Sequence, residues 1–545
     1  MGGHGDGFDV AVIGGGASGR AAAIAAVRAG SRVAVIERDV AAGLSILATG
    51  NGRCNLSNGR LDVDRYLDPT WAHHVLGEGP EDLIRSFFEE LGLVICEIEG
   101  RWYPVTRRAA SVRDVLLAEV ERLGVTLLCG ADLAAARLSD DRWELELEEP
   151  ARPIHFDGDT RRARRALAAA PRRTRIVAAR SVVLAAGGSS ERVCALFDIP
   201  HVPETPVLCP IACEVPGLPS GSLSRVDGLR VDGALTLERD GEKPFREEGE
   251  VLFRSYGISG IVSFDISRRA RAGDLLEVDL LPIISPEELR EHLSRREGLR
   301  GPYAAADATW FDGLLARPLA GLINELAGGS LEATARFCHA FPLTVAGLTE
   351  TGQAQVRRGG IPLEAVEPGT LAVARSVTFG APTAPCDTSS GTPTVSRDTS
   401  PSASAASHGA SSDTSVAPGR AASPCGTSVA LSKAESPCGA PSGTLAASCN
   451  APSGTPITSE PSELIRNASY IAPTGSKMPA PSRNIPSIET TAPYGEHDEG
   501  PGLFACGEAL NMDADCGGYN LAWAWLTGLC AGFSAARAAG NTAIV

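Results

Sequence analysis

The stretch that most constrains the fold runs from Phe8 to Arg38, FDVAVIGGGASGRAAAIAAVRAGSRVAVIER. Residues 9–13 are a short apolar run of the kind that forms a strand covered on both faces. Gly14-x-Gly16-x-x-Gly19 turns that strand into a helix over residues 17–29, made almost wholly of small and apolar side chains, and Gly30 ends it. Residues 32–36 read as a second buried strand with Glu37 at its end, so the unit is βαβ with a dinucleotide fingerprint in its first turn. Each residue has a chemical reason. Gly14 permits the tight turn, Gly16 lets backbone N–H groups approach a pyrophosphate, and Gly19 lets the helix sit close to the sheet. The first turn of the helix, with Ala17 and Ser18, offers a partial positive charge to the phosphates. Glu37 can accept hydrogen bonds from both hydroxyls of an adenosine ribose and would repel a 2′-phosphate; Arg38 beside it is a further candidate cofactor contact. The fingerprint alone does not separate FAD from NAD.

A chain of 545 residues has room for two or three domains. Its formal charge of −16 argues against a surface built for polyanions. The fourteen cysteines include no CxxC pair and no zinc spacing, so they read as reduced thiols with no metal site. The N-terminus lacks the basic and apolar regions of a signal peptide, and Asp6 breaks the myristoylation pattern; the expectation is a cytoplasmic protein. One run, 521–540, is apolar enough to suggest a membrane helix with a Gly528-xxx-Gly532 dimer face. Arg537 and the many alanines favour a buried soluble helix instead.

Residues 41–58 form a loop in which Asn51, Gly52, Arg53, Cys54, Asn55, Ser57 and Asn58 cluster. It either wraps a cofactor or is a surface loop bonded to itself. Helices are expected over 80–91 and 111–123, and strands over 125–129, 143–147 and 176–185. The segment 160–180 holds eight arginines, which suit either a solvated extension or a phosphate-gripping surface. The strand ending in Ala186, Gly187 and Gly188 suits the middle of a bound dinucleotide, or is an ordinary strand-end turn. From about 200 to 282 the texture changes to short strands with Pro and Gly turns, an inserted β domain. Ser285-Pro286-Glu287-Glu288 is a capping box, with further helices expected over 314–326 and 330–337 before β texture returns at 341–345. Residues 378–490 are rich in Ser, Thr, Pro, Ala and Gly, with imperfect repeats such as SPCGTS and SPCGAPSGT. That composition reads as a disordered insertion.

Order is expected again from Gly502. Residues 503–506 read as a strand ended by Gly507 and Glu508. Asp513 and Asp515 follow, and Gly517-Gly518-Tyr519-Asn520 opens the final helix with Leu521 in its first turn. FAD is long enough to need both ends of the chain. Its adenine would lie on the N-terminal unit, its ribityl hydroxyls would need an acceptor such as Asp513 or Asp515, and its flavin N1–C2=O edge gains negative charge on reduction. A helix N-terminus aimed at that edge stabilises it by about 1 kcal/mol or more in a dry site. NAD alone does not require this second half-site.

At these residues the chain resembles the BaiN/RdsA-like NAD(P)/FAD-dependent oxidoreductases, the aminoacetone oxidase-like flavoproteins. The matching pieces are VIGGGASG at 12, GNGRCNLSN at 50, GRWYPVTRRAASV at 100, VVLAAGG at 182, GEVLFRSYGISG at 249, RRGGI at 357 and the FACGE…GGYNLAWAW ending. The resemblance implies an α/β Rossmann-type, two-dinucleotide-binding FAD domain with an inserted β-barrel-like domain and a small helical domain. The boundaries are 1–200, 351–377 and 498–545 for the FAD domain, 201–282 and 339–350 for the β domain, 283–338 for the helical domain, and 378–497 for the insertion. It also implies that residues 52–55 and 517–521 surround the flavin. The chain departs from the pattern in four places. Ser45 stands where a basic residue is usual, SSERVCALFDIP replaces a glycine-rich segment after Gly188, Arg254-Ser255 replaces Thr-His, and the insertion is extra.

The expected function is a cytosolic FAD oxidoreductase acting on a small molecule. A hydride would pass from NAD(P)H, a transient co-substrate with no dedicated motif, through flavin N5 to a carbon–carbon double bond. Arg53 would give electrostatic support near the flavin; Cys54 is either a proton donor or a packed loop thiol. Two alternatives remain. One is a flavin-dependent enzyme that reduces uridine in RNA, supported by the arginine-rich segment and opposed by the net charge. The other is a flavin-binding protein without turnover, motivated by the altered loop after Gly188.

Overall fold

The computed structural model describes residues 6–239, 241–303, 307–354, 356–374 and 501–541; the low-complexity insertion lies outside them. Strand β1, Asp6–Ile13, leads through the glycine turn into helix α1, Ala17–Arg28, and back to strand β2, Val33–Glu37. β1 lies between β2 and the long strand Arg172–Leu184, parallel to both, with Ile13 opposite Ile36 and Leu184. Thr126–Cys129 extends the parallel sheet beyond β2, and Gly502–Ala505 extends it beyond Leu184. Val10, Val12, Ala34, Val35, Val182 and Val183 are fully buried. Cover on both faces is why these strands are continuous apolar runs and not alternating ones.

The hairpin Asp132–Ser139 and Arg142–Pro150 continues the sheet antiparallel along the first half of the long strand, up to Trp143 opposite Ala179. Where the hairpin leaves that edge, Gly502–Ala505 takes it over, from Ser181 onward. The C-terminal segment is therefore the parallel neighbour of the strand beside β1. From there the chain runs into the helix Tyr519–Ala538, which packs on α1. The apolar run at 521–540 is thus a buried helix of this layer, and no helix among the described residues is long and apolar enough to cross a membrane.

The arginine-rich segment is a helix, Thr160–Ala169, capped by Asp159, followed by the start of the long strand. The inserted β domain is a closed antiparallel six-stranded barrel. Its strands run, in spatial order, Ile211–Glu214, Gly257–Ser259, Phe245–Arg254, Arg230–Glu238, Leu275–Asp279 and Phe341–Leu348, and the last pairs with the first. Three helices, Pro286–Arg300, Arg317–Ala327 and Leu331–His339, lie between its last two strands in sequence and share its core with Phe253, Phe311 and Phe341. The capping box forms as expected, with Ser285 Oγ accepting the Glu288 N–H at 3.2 Å. The helix expected from residue 314 begins instead at Arg317, where Pro318 in its first turn sets the start. An antiparallel pair, Val202–Val207 with Val356–Gly360, carries the chain into the barrel and out again.

Candidate active site

The turn between β1 and α1 is built by close packing. A Cβ on Gly14 would stand 2.3 Å from the Ala185 carbonyl oxygen, and one on Gly19 would stand 1.9 Å from the Gly14 carbonyl oxygen. Gly16 caps α1 without a side chain, so no side-chain acceptor occupies the first-turn N–H groups. At the end of β2, Glu37 accepts the N–H of Gly15 at 2.9 Å and that of Asp39 at 2.8 Å. Each of its oxygens keeps a further lone pair.

These groups face a cavity of about 570 Å³. Of the residues singled out from sequence, Gly14, Gly16, Ala17, Ser18, Glu37 and Arg38 line it, together with Ala186, Gly187, Gly188, Glu508, Asn520 and Leu521. Residues 471 or more positions apart in sequence thus share one cleft, as Glu37 and Glu508 do. Glu508 is half-buried; burial pushes its carboxyl up to about 7, against hydrogen bonds from the Arg357 and Gly188 N–H groups.

The other candidates lie off the wall. Gly19 packs beneath the turn. Gly52 and Arg53 are exposed on the loop, while Cys54 is fully buried at φ +56°, and burial drives its thiol up to about 12. Asn55, its amide oriented to suit its neighbours, accepts the Gly518 N–H at 3.1 Å and donates to the Ser57 carbonyl at 2.9 Å. Gly517 accepts a bond from Asn58 Nδ2 at 3.1 Å, and the Tyr519 carbonyl accepts one from the Tyr66 hydroxyl at 3.0 Å. The 41–58 loop therefore holds the start of the last helix from outside. Gly507 is tied into the same helix, its N–H on Thr527 Oγ1 at 2.9 Å. Asp513 and Asp515 are buried in an arginine cluster: Asp513 with Arg268 and Arg358 at 2.8 Å each, Asp515 with Arg268, with Arg269 at 2.8 Å and with Arg65 at 3.3 Å.

Sequence reasoning missed several wall residues. Asp132, Arg164 and Arg192 reach the cleft, as do Met512 and Trp523. Arg164 bonds Asp39 at 2.9 Å, and Arg192 bonds Asp132 at 2.6 Å. No local pattern announces these pairs, because each joins residues 60 or more apart. Met512 and Trp523 flank the Asp513-to-Leu521 motif, and the four-residue helical spacing from Tyr519 is the signal that points to Trp523.

The donor set fits an extended dinucleotide. Free first-turn N–H groups suit a pyrophosphate, Glu37 suits a ribose diol, and the same wall carries glycine backbone with Asn520 and Leu521. Fold and site together define a dinucleotide-binding protein with a Rossmann-like α/β domain and an inserted barrel. Comparison with known proteins narrows this. A model described as the HI0933-like protein Rossmann domain matches residues 8–193. The chain is 29% identical over 384 residues to the 3-dehydro-bile acid delta(4,6)-reductase of Clostridium scindens, covering 66% of this chain and 88% of that one. It is 25% identical over 301 residues to the ribosomal RNA dihydrouridine synthase of Escherichia coli K12, covering 51% and 65%. A flavocytochrome c3 fumarate reductase in an open conformation aligns with 98% of this chain and 79% of its own, at 13% identity and a TM-score of 0.37. Over residues 8–193 the chain is thus similar to the HI0933-like family of FAD-dependent oxidoreductases.

Proposed function

We propose that this protein is a reductase that carries a hydride from NAD(P)H, by way of bound FAD, to a carbon–carbon double bond of a small molecule. The observation that carries this is the single cleft lined both by Gly16 and Glu37 and by Glu508, Asn520 and Leu521. The cofactor, when bound, supplies the two-electron chemistry. The chain's own residues bind and orient: the start of α1 meets the phosphates, Glu37 the adenosine ribose, and the Asn520 end the redox ring. Glu508, with its carboxyl raised by burial to about 7, carries less negative charge at neutral pH than an ordinary glutamate would beside an anionic ligand. The names of the two relatives, a delta(4,6)-reductase and a dihydrouridine synthase, support a reduction as the reaction type.

A small molecule is favoured over RNA because several arginines of the arginine-rich segment, although solvent-exposed, are paired with the protein's own acids and carbonyls. Arg164 bonds Asp39, Arg173 bonds Glu149 at 2.8 Å, Arg172 bonds the Gly130 carbonyl at 2.7 Å, and Arg180 bonds the Ala539 carbonyl at 2.9 Å. The test is an absorption spectrum with mass spectrometry of the released cofactor, then anaerobic reduction by NADH and NADPH separately. FAD that one nicotinamide bleaches, and that an enone re-oxidises, is the expected result. Colourless protein that cannot be reconstituted defeats the flavin reading. A flavin that neither nicotinamide reduces points to binding without turnover. Re-oxidation by uridine-containing RNA, abolished by neutralising Arg161 and Arg165, selects the RNA reading.

A further inference from the structure

Arg20 is a residue of α1 whose donors the fold uses only in part. It stands on the second turn, its amide N–H bonded to the Gly16 carbonyl at 3.2 Å, and it has no solvent exposure. Nη1 donates to the Arg113 carbonyl at 2.9 Å, but Nε and Nη2 have no hydrogen-bond partner among the described residues. The guanidinium lies under the loop that follows β2, so that a Cβ on Gly43 would fall 1.2 Å from Nη2. Burial and the nearby Arg113 charge pull its pKa down only to about 10, with Glu37 and Asp114 acting the other way, so it remains a cation at neutral pH. A buried cation with two idle donors is costly in the bare protein.

Of the guanidiniums on the cleft wall, Arg164 is bonded to Asp39 and Arg192 to Asp132, while Arg38 is exposed beside Glu37. A helix N-terminus supplies roughly half a unit of positive charge, against the two negative charges of a pyrophosphate. We propose that Arg20 is the buried counter-charge for the pyrophosphate of the bound dinucleotide, a positioning residue that acts through the first turn of α1 and the Gly43 loop. It does not line the cavity. This rests on the reading of the cleft as an FAD site, and the experiment separates the two.

FAD affinity is measured by titration calorimetry, and the melting temperature of cofactor-stripped protein by scanning calorimetry, for wild type, Arg20→Leu, Arg20→Gln and Arg20→Lys. The expected result is opposite movement. Arg20→Leu and Arg20→Gln lose roughly tenfold or more in FAD affinity, from the loss of a unit charge in a poorly screened site, while stripped Arg20→Leu melts at or above the wild-type temperature because an unpaired buried cation has gone. Arg20→Lys stays within a few-fold of wild type. Ser45→Lys added to Arg20→Leu recovers affinity, since Ser45 Oγ lies on the cleft wall 3.4 Å from where a Cβ on Gly16 would be. FAD affinity unchanged in both neutral variants overturns the proposal and leaves the FAD reading intact. Affinity and stripped-protein melting temperature falling together also overturn it, because that is the mark of a packing role. Wild-type protein that binds no FAD defeats the FAD reading itself.

Discussion

Gly528 of the last helix and Ser18 of the first are in backbone contact: a Cβ placed on Gly528 would lie 2.4 Å from the Ser18 carbonyl oxygen. One turn further, a Cβ on Gly532 would lie 2.1 Å from the Ala22 carbonyl oxygen. Backbone atoms are the obstacle in both cases, so the helices must separate to admit a methyl group. Gly528→Ala and Gly532→Ala are each expected to cost about 1–3 kcal/mol or more by overpacking. Because Ser18 lines the cleft, both variants should also release FAD during gel filtration that the wild type retains. Melting temperature and bound-flavin content check the two effects together.

The same pair marks how far the sequence could be read. The Gly14-Gly16-Gly19 turn, the Gly528-xxx-Gly532 stripe and the capping box at Ser285 are local signals, each written within a few residues, and the helices and strands they announce are present. The barrel was visible as texture, but its closure, Ile211–Glu214 on Phe341–Leu348, joins strands more than a hundred residues apart. The same distance hides the partners of Asp513. Read locally, an acid before a glycine-opened helix is a ligand acceptor; here it is flanked by Arg268 and Arg358. Arg20 is the reverse case. An arginine in an alanine-rich helix reads as solvent-facing, and only the Gly43 loop folding over it makes it buried.

Glu508 should make stability depend on pH in a definite direction. Burial raises its carboxyl to about 7 from an ordinary value near 4.5. Below about 4.5 the group is protonated in both folded and unfolded chains. Between 4.5 and 7 the folded chain keeps a proton that the unfolded chain has released, so stability falls as pH rises through this window. Above 7 the loss is complete. Glu508→Gln removes the titration. In cofactor-free protein, the stability of this variant relative to wild type should therefore climb from pH 4.5 to 7, by up to about 1.4 kcal/mol per pH unit, and then level off. Denaturant titrations at stepped pH measure it; a flat difference would show that Glu508 does not hold its proton.

The arginine cluster behind the last helix permits a prediction from charge counting. Arg65, Arg268, Arg269 and Arg358 surround Asp513, Asp515 and Glu247, four cations against three carboxylates. Asp265 is close by, but burial first and Asp515 second raise its carboxyl to about 7. Burial would raise Asp513 as well; Arg358 and Arg268 overcome that and hold it below its ordinary value. Asp513→Asn leaves four cations against two carboxylates, with Arg268 only 2% exposed. It should cost about 3–5 kcal/mol, the loss expected when a buried pair keeps its unpaired charge. Arg268→Met leaves three against three and should cost less, even though it deletes the more central side chain. The acid side has its own sign. A carboxyl depressed on folding stabilises the protein above its unfolded value of about 3.8, and that contribution is lost as pH falls through the lower folded value. Wild type and Asp513→Asn should therefore converge in stability toward strong acid, separate as pH rises to about 3.8, and keep a constant gap above it. Asp513 lies four residues before Gly517, so Asp513→Asn should also loosen the turn that opens the last helix and lower flavin retention at neutral pH, whereas a cost no greater than that of Arg268→Met would refute the charge count.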